Sequence, residues 1–334
     1  MVKYTTDKAL MDSKRKNIAL LYGGSSSERE ISILSGKNVG EALSSRGYNV
    51  TYIDPINPED MEKLRSGNFD IAYIALHGKG GEDGSIQEEL ENIGIPYTGS
   101  KVKASQNAIN KNSSKIIYKN NGVPTADYCC VDNKQALDLE KIINTTGEDV
   151  VVKAATEGSS IGLYFAKGKE EIEEAVKKAG EFDKEIIIEK RITGREFTCA
   201  VLEFPQEKVA ELSEKLGFDG NKAALPVIEI VPKNAFYDFA SKYDEGGSEH
   251  ICPAEISEEL SKKIQKVALD AHKCLECSGF SRTDVLVDEA ENVFALETNT
   301  IPGMTSKSLV PDAARAVGIS FEELCELIIN NELM

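Results

Sequence analysis

Four polar residues near the end of the chain, Arg282, Asp284, Glu297 and Asn299, carry the clearest chemical pattern. The stretch between them reads as two short strands joined by the polar turn 289–292, a common hairpin loop length. Pairing Asp288 with Val293 sets Asp284 opposite Glu297 and Arg282 opposite Asn299. Side chains alternate along strands, so these four share one face. Val285, Val287, Phe294 and Leu296 fall on the other face, which reads as core. Two carboxylates directly across a ladder repel each other. A hard divalent cation relieves that cost, and Asp, Glu and Asn are oxygen ligands of the kind Mg²⁺ accepts. The arginine beside them adds a fixed positive fork. The pattern points to a Mg-nucleotide site.

Other residues suit the same chemistry. Lys153 ends a buried apolar run, where a lysine wants an anion; a snorkelling side chain is the plainer alternative. The loop from Glu157 to Gly162, with Ser159 and Ser160 inside it, can offer backbone N–H groups to phosphates, although Gly/Ser hairpin loops are common. His77 opens a loop with four glycines in the seven residues 78–84. Gly23 and Gly24 make a tight turn before a helix expected over 28–45. Ser27 and Glu30 match a capping box there, and the same helix start makes a ligand floor. Residues 236–243, aromatic with Lys242 and followed by glycines, read as a mobile lid.

The elements that must hold these groups alternate strand and helix over residues 17–100, which predicts a small doubly wound α/β domain. Two helical segments meet near Lys111. An antiparallel set of strands follows, with helices at 134–143 and 169–179. Residues 205–224 are polar and read as a surface insertion. A helix over 257–276 precedes the hairpin, and two helices close the chain, the second capped by Ser320 and Glu323.

Composition sets the outer limits. The chain has 334 residues, a net charge of −17, 41% hydrophobic residues and 28% charged ones, the profile of a soluble globular protein. No basic face is indicated, which disfavours nucleic-acid binding. No apolar run reaches a membrane span. Residues 1–16 lack the apolar segment of a secretory signal and read as a flexible arm. Seven scattered cysteines fit a reducing cytoplasm rather than a disulfide framework. Cys274 and Cys277 sit in a helical pattern with no matching second ligand pair, so small helix residues explain them better than zinc. A dehydrogenase would need GxGxxG, which the glycine turn lacks.

Together the motifs resemble the D-alanine–D-alanine ligases of the ATP-grasp superfamily. The resemblance rests on 23–32 (GGSSSEREIS), 75–78 with 81–84, 97–100, 157–162, 236–243 and 297–305, in order from about Asn17 to Ile329. It implies an α/β (α+β) three-domain ATP-grasp fold with an N-terminal Rossmann-like domain. The expected divisions are 1–16, 17–100, 101–188 and 189–334. It also implies an ATP-dependent ligase that joins two D-alanines through a D-alanyl phosphate, for peptidoglycan precursors; the alternative is a D-Ala–D-Ser ligase of the same family. ATP is implied with two Mg²⁺ ions, or Mn²⁺ in their place.

Residue by residue, Asp284, Glu297 and Asn299 match the metal ligands. Lys111, Lys153 and the lid residue Lys242 match the phosphate lysines. Glu157, Ser159 and Ser160 belong to the phosphate loop. Glu189, Lys190, Ile192 and Glu196 match the adenosine contacts. Glu30 and His77 match the surroundings of the first D-alanine. Arg282 and Gly303 match the oxyanion donors, and Ser308 and Leu309 the pocket of the second D-alanine. Tyr243 matches the lid tyrosine that bonds to Glu30 and Ser159, and its presence favours D-alanine as second substrate. A cytoplasmic homodimer, with no nucleic-acid or membrane partner, is expected by analogy.

Overall fold

The computed structural model describes residues 16–232 and 248–333. Three sheets organise them. Strands β1 (Asn17–Leu21), β2 (Asn49–Ile53) and β3 (Ile71–Ile74) form a parallel sheet in the order β2-β1-β3. Its middle strand is buried on both faces, as an apolar run without alternation requires. Ile18 and Leu20 join one core cluster, Ala19 and Leu21 another. Helices α1 (Arg29–Ser45), α2 (Pro58–Ser66) and α3 (Ser85–Ile93) connect these strands and follow them. Tyr97 bridges in parallel to Ala72, extending the sheet's edge.

Next come α4 (Val102–Ile109) and α5 (Lys111–Asn120), which meet at Asn110. The Asn110 side chain caps α5 by accepting from the Ser113 N–H at 3.0 Å. Strands β4 (Tyr128–Asp132), β5 (Asp149–Ala154), β6 (Leu163–Lys167) and β7 (Glu185–Lys190) make an antiparallel sheet in the order β4-β7-β5-β6. Helices α6 (Leu139–Thr146) and α7 (Lys169–Ala179) cover one face through Ile142, Ile172 and Val176. Helix α6 starts later than the expected 134–143 because Asp138 caps it, accepting from the Lys141 N–H at 3.1 Å. Strand β7 runs through the 188/189 position expected as a boundary, so the chain changes sheet only at 191–194.

The largest sheet is antiparallel and centres on β8 (Arg195–Glu203). Along one edge of β8 lie β11 (Ile228–Pro232) and β10 (Lys222–Ala224), which in turn pair with β12 (Ser248–Ile251) and β9 (Phe218–Asp219). Along its other edge runs β13 (Phe280–Val287), which pairs with β14 (Val293–Asn299). Helix α9 (Glu258–Cys274) packs behind this sheet through Ile264, Val267 and Ala268. Helices α10 (Leu309–Ala316) and α11 (Phe321–Leu333) close the chain; Ile328 and Ile329 join Ile18 and Leu20 in one core.

Two expectations need correction. Residues 205–224 are not a surface insertion. After α8 (Gln206–Leu212), Leu216 and Ala223 are buried with Leu212 in the same core as the N-terminal sheet. The hairpin register is also irregular. Asp284 does pair with Glu297 and Arg282 with Asn299, but Val287, not Asp288, faces Val293. A bulge between Asp284 and Val285 absorbs the extra residue. It turns Val293 and Ala295 into the core and leaves Phe294 and Leu296 half-buried on the other face. No helix among the described residues is long and apolar enough to cross a membrane.

Candidate active site

Two adjoining cavities, of about 1030 Å³ and about 670 Å³, open between the three sheets. They share a wall that includes Lys111, Glu157, Ser159, Asp284 and Glu297. The smaller is also lined by Lys153, Ser160, Glu189, Lys190, Ile192 and Glu196. The larger is also lined by His77, Arg282, Asn299, Gly303, Ser308 and Leu309. Residues far apart in sequence thus converge because the hairpin β13–β14 lies where the layers meet.

On that hairpin the Arg282 guanidinium grips Asp284 through two hydrogen bonds, Nε to Oδ1 at 2.9 Å and Nη2 to Oδ2 at 2.8 Å. This is the bidentate geometry in which arginine outperforms lysine. Thr198, across on β8, donates to Asp284 Oδ1 at 2.5 Å, and Asn299 donates to Oδ2 at 3.2 Å. Glu297 lies 3.6 Å from Lys111 Nζ. The two carboxylates therefore have positive partners, and their mutual repulsion does not by itself demand a cation. Among the described residues no group of three or more His, Cys, Asp or Glu stands close enough to enclose a metal. The donors nonetheless fit magnesium. Two carboxylates and a carboxamide present hard oxygens on one face, and Mg²⁺ usually completes its shell with water and phosphate oxygens.

The phosphate-type loop is anchored where it leaves β5. Asp183 accepts from the Thr156 N–H at 2.9 Å and its hydroxyl at 2.7 Å. Lys111, at the start of α5, donates through Nζ to the Glu157 carbonyl at 2.6 Å. Ser159 and Ser160 take φ values of 51° and 62°, a left-handed pair rare for non-glycine residues and typical of a ligand-shaped turn.

Glu30 is exposed on α1 and is not part of either cavity wall. The expected capping box is also absent: Glu28, not Ser27, is the N-cap residue, and no side chain caps this helix end. Glu28 instead faces the larger cavity, where the Ser159 hydroxyl donates to its carboxylate. A helix turns about 100° per residue, so residues two apart point to nearly opposite sides. The Glu28 backbone is held from behind, where its N–H donates to Ser26 Oγ at 3.2 Å and Ser26 donates to the His77 carbonyl at 2.7 Å.

His77 is buried, and both ring nitrogens are occupied. Nδ1 lies 3.1 Å from the Ile301 carbonyl, which can only accept, so Nδ1 carries the proton; Nε2 then accepts from Ser35 at 3.0 Å. Burial lowers its pKa, the expected direction for a neutral imidazole in this setting. Ser35 also accepts from the Met304 N–H at 3.3 Å. The histidine thereby joins α1 to the segment that carries Gly303 and Ser308. A Cβ on Gly303 would lie 2.9 Å from Ser308 Oγ, so the glycine permits the close approach of backbone and hydroxyl. Ser308 immediately precedes α10 and lines the larger cavity together with Leu309.

Sequence reasoning missed several site residues. Glu28 was hidden by its neighbour Glu30 in the same motif. Leu286 follows Arg282 and Asp284 by alternation along β13, whereas Leu296, which also lines the smaller cavity, depends on the bulge in β14. Glu82, on the wall of the larger cavity, has its carboxyl pushed up to about 8, by burial first and by Glu28 second. Lys115 stands 2.7 Å from Glu189 in the interior, behind the smaller cavity; no spacing rule would have singled it out. Lys242, Tyr243 and the expected lid lie outside the described residues.

Known proteins place this geometry. Residues 56–100 match the family model described as D-ala D-ala ligase N-terminus, and residues 117–330 match D-ala D-ala ligase C-terminus. The D-alanine–D-alanine ligase of Carboxydothermus hydrogenoformans is 45% identical over 318 residues, covering 93% of this chain and 96% of that one. A solved D-alanine–D-alanine ligase of Bacillus anthracis complexed with ATP superposes with a TM-score of 0.78 at 31% identity, covering 95% and 97% of the two chains. The VanG D-Ala:D-Ser ligase from Enterococcus faecalis gives 0.80 at 28% identity, covering 95% and 99%. The mixed helix and strand architecture is that of these ligases, the ATP-grasp fold that the motifs implied. The chain belongs to the D-alanine–D-alanine ligase family.

Proposed function

We propose that the chain is an ATP-dependent ligase that joins two molecules of D-alanine, in the cytoplasm and as a homodimer, for peptidoglycan precursors. One observation carries this reading: two cavities of different character share a wall that bears Lys111, Ser159, Asp284 and Glu297. ATP would occupy the smaller, with adenosine against Glu189, Lys190, Ile192 and Glu196. Its phosphates would point at Lys111, Lys153 and the N–H groups of 157–160. D-alanine would occupy the larger, with its ammonium near Glu28.

The shared wall is where a carboxylate oxygen and a γ-phosphate can meet. Attack there forms a D-alanyl phosphate and releases ADP; phosphoryl transfer asks the protein mainly for positioning and charge neutralisation. Asp284, Glu297 and Asn299 would hold magnesium, or manganese in its place, which when bound neutralises charge on the phosphate oxygens. The amine of the second D-alanine then attacks the acyl carbon and expels phosphate. Arg282 and the backbone N–H of Gly303 would stabilise the oxyanion, while Ser308 and Leu309 would receive the second carboxylate. Lys242 and Tyr243 would complete the enclosure. The chain would divide between its sheets, near 100 and near 190, with the nucleotide between the last two units.

The curated relatives at 42–45% identity over nearly the whole chain carry the name D-alanine–D-alanine ligase, which supports D-alanine in the second position. Phosphate release from ATP, with D-alanine, L-alanine, D-serine and D-lactate compared, tests the reading. Release should require D-alanine and be fastest with D-alanine alone; no release with D-alanine would overturn it.

A further inference from the structure

The smaller cavity is backed by a charge cluster larger than its lining. Glu189 is only 2% exposed. On the same face of the sheet its diagonal neighbour Lys153 contacts Oε1. On the other side Lys115, from α5, lies 2.7 Å from Oε2, an ion pair rather than an aligned hydrogen bond. Two cations thus enclose one anion and leave one positive charge in excess.

The two lysines differ in freedom. Lys153 lines the cavity, and its side chain is 13% exposed. Lys115 lines neither cavity, and its side chain is 1% exposed. Its ammonium also donates to Thr125 Oγ1 at 2.7 Å, and that hydroxyl donates to the Ala295 carbonyl at 2.8 Å. Lys115 is therefore tied to β14, the strand that carries Glu297. Lys153 is the cation able to turn toward an anion in the cavity. If it did so with no other partner for Glu189, it would strand a buried carboxylate, which is strongly unfavourable.

We propose that Lys115 is a positioning residue for the nucleotide: it is the permanent counter-ion of Glu189 and so frees Lys153 to exchange Glu189 for the nucleotide phosphates. This rests on reading the smaller cavity as the ATP site. It adds a partner exchange, in which the excess positive charge of the cluster is delivered to the phosphates only when they arrive.

A double-mutant cycle in the full-length enzyme tests the exchange, with KM for ATP, kcat and KM for D-alanine measured for each variant. In Lys115→Met the side-chain length is kept and the charge lost, so Lys153 stays on Glu189. KM for ATP should then rise by about tenfold or more, with kcat and KM for D-alanine changed less than about threefold. Lys115 acts only through Glu189. Once Glu189→Gln has removed the carboxylate, adding Lys115→Met should therefore alter KM for ATP by less than about threefold. That second comparison needs no folded Lys115→Met single variant. A further large rise in KM in the double variant, or an unchanged KM in Lys115→Met, overturns the exchange. Loss of D-alanine-dependent phosphate release in the unmodified enzyme would instead overturn the proposed function, so the two failures are distinct.

Discussion

Glutamate 28 and glutamate 30 share one motif, and the structure separates them. Glu28 faces the larger cavity and accepts a hydrogen bond from Ser159, whereas Glu30 is exposed on α1. Replacing Glu28 by Gln keeps the shape and removes the charge. A hydrogen bond to a charged group contributes about 1.5–3 kcal/mol. That corresponds to roughly a 10- to 150-fold loss in kcat/KM for D-alanine if the charge also meets the substrate ammonium. Glu30→Gln alters only a solvated surface, where substitutions stay within about 0.5 kcal/mol, so its loss should be under about threefold. The assay is coupled ADP release with D-alanine varied at saturating ATP, and thermal unfolding confirms that both variants are folded. Equal impairment of the two variants, or a larger loss in Glu30→Gln, would refute the placement of Glu28 in the site.

The remaining predictions concern stability. A Cβ on Gly194 would lie 1.9 Å from the Val287 carbonyl oxygen and 2.7 Å from its carbon, and backbone cannot rotate aside. Gly194→Ala should therefore cost about 1–3 kcal/mol through overpacking and lower Tm by several degrees; an unchanged Tm would show that the turn relaxes freely. Glu82 binds its proton more tightly in the folded protein, with a pKa of about 8 against an ordinary 4.5. The folded state thus holds more protons than the unfolded state between these values, and stability falls as pH rises through that window. Glu82→Gln has no proton to lose, so it should match the parent near pH 4.5 and exceed it in Tm above pH 8. The same Tm difference at both ends would contradict the burial of that carboxyl.

Much of the site was legible because it lies on regular elements. Strand alternation put Arg282, Asp284, Glu297 and Asn299 on one face, and the motifs gave the other residues in order. What stayed hidden follows from three physical causes. The bulge beside Asp284 shifts the pairing by one residue without any local signal, so Phe294 and Leu296 exchange faces with Val293 and Ala295. Glu28 stands at the start of α1 and Glu30 two residues further on, about 200° around the helix, so only Glu28 faces the cavity. The capping-box match at Ser27 and Glu30 set the helix N-cap one residue early, at Ser27 rather than Glu28. Residues 205–224 are polar in sum, yet a few apolar side chains fill the core beneath α11. Lys115 was invisible for a different reason: a buried lysine on a polar helix has no distinguishing spacing, and its meaning depends on Glu189 more than seventy residues away.

Whether the shared wall joins two half-reactions is tested most directly by following a carboxylate oxygen. D-alanine labelled with heavy oxygen in its carboxylate is turned over with unlabelled ATP, and the released phosphate is analysed by mass. Formation of the acyl phosphate at Lys111, Asp284 and Glu297, followed by its displacement beside Arg282, predicts one heavy oxygen in each phosphate formed. Unlabelled phosphate, with D-alanyl-D-alanine still produced, would contradict the account.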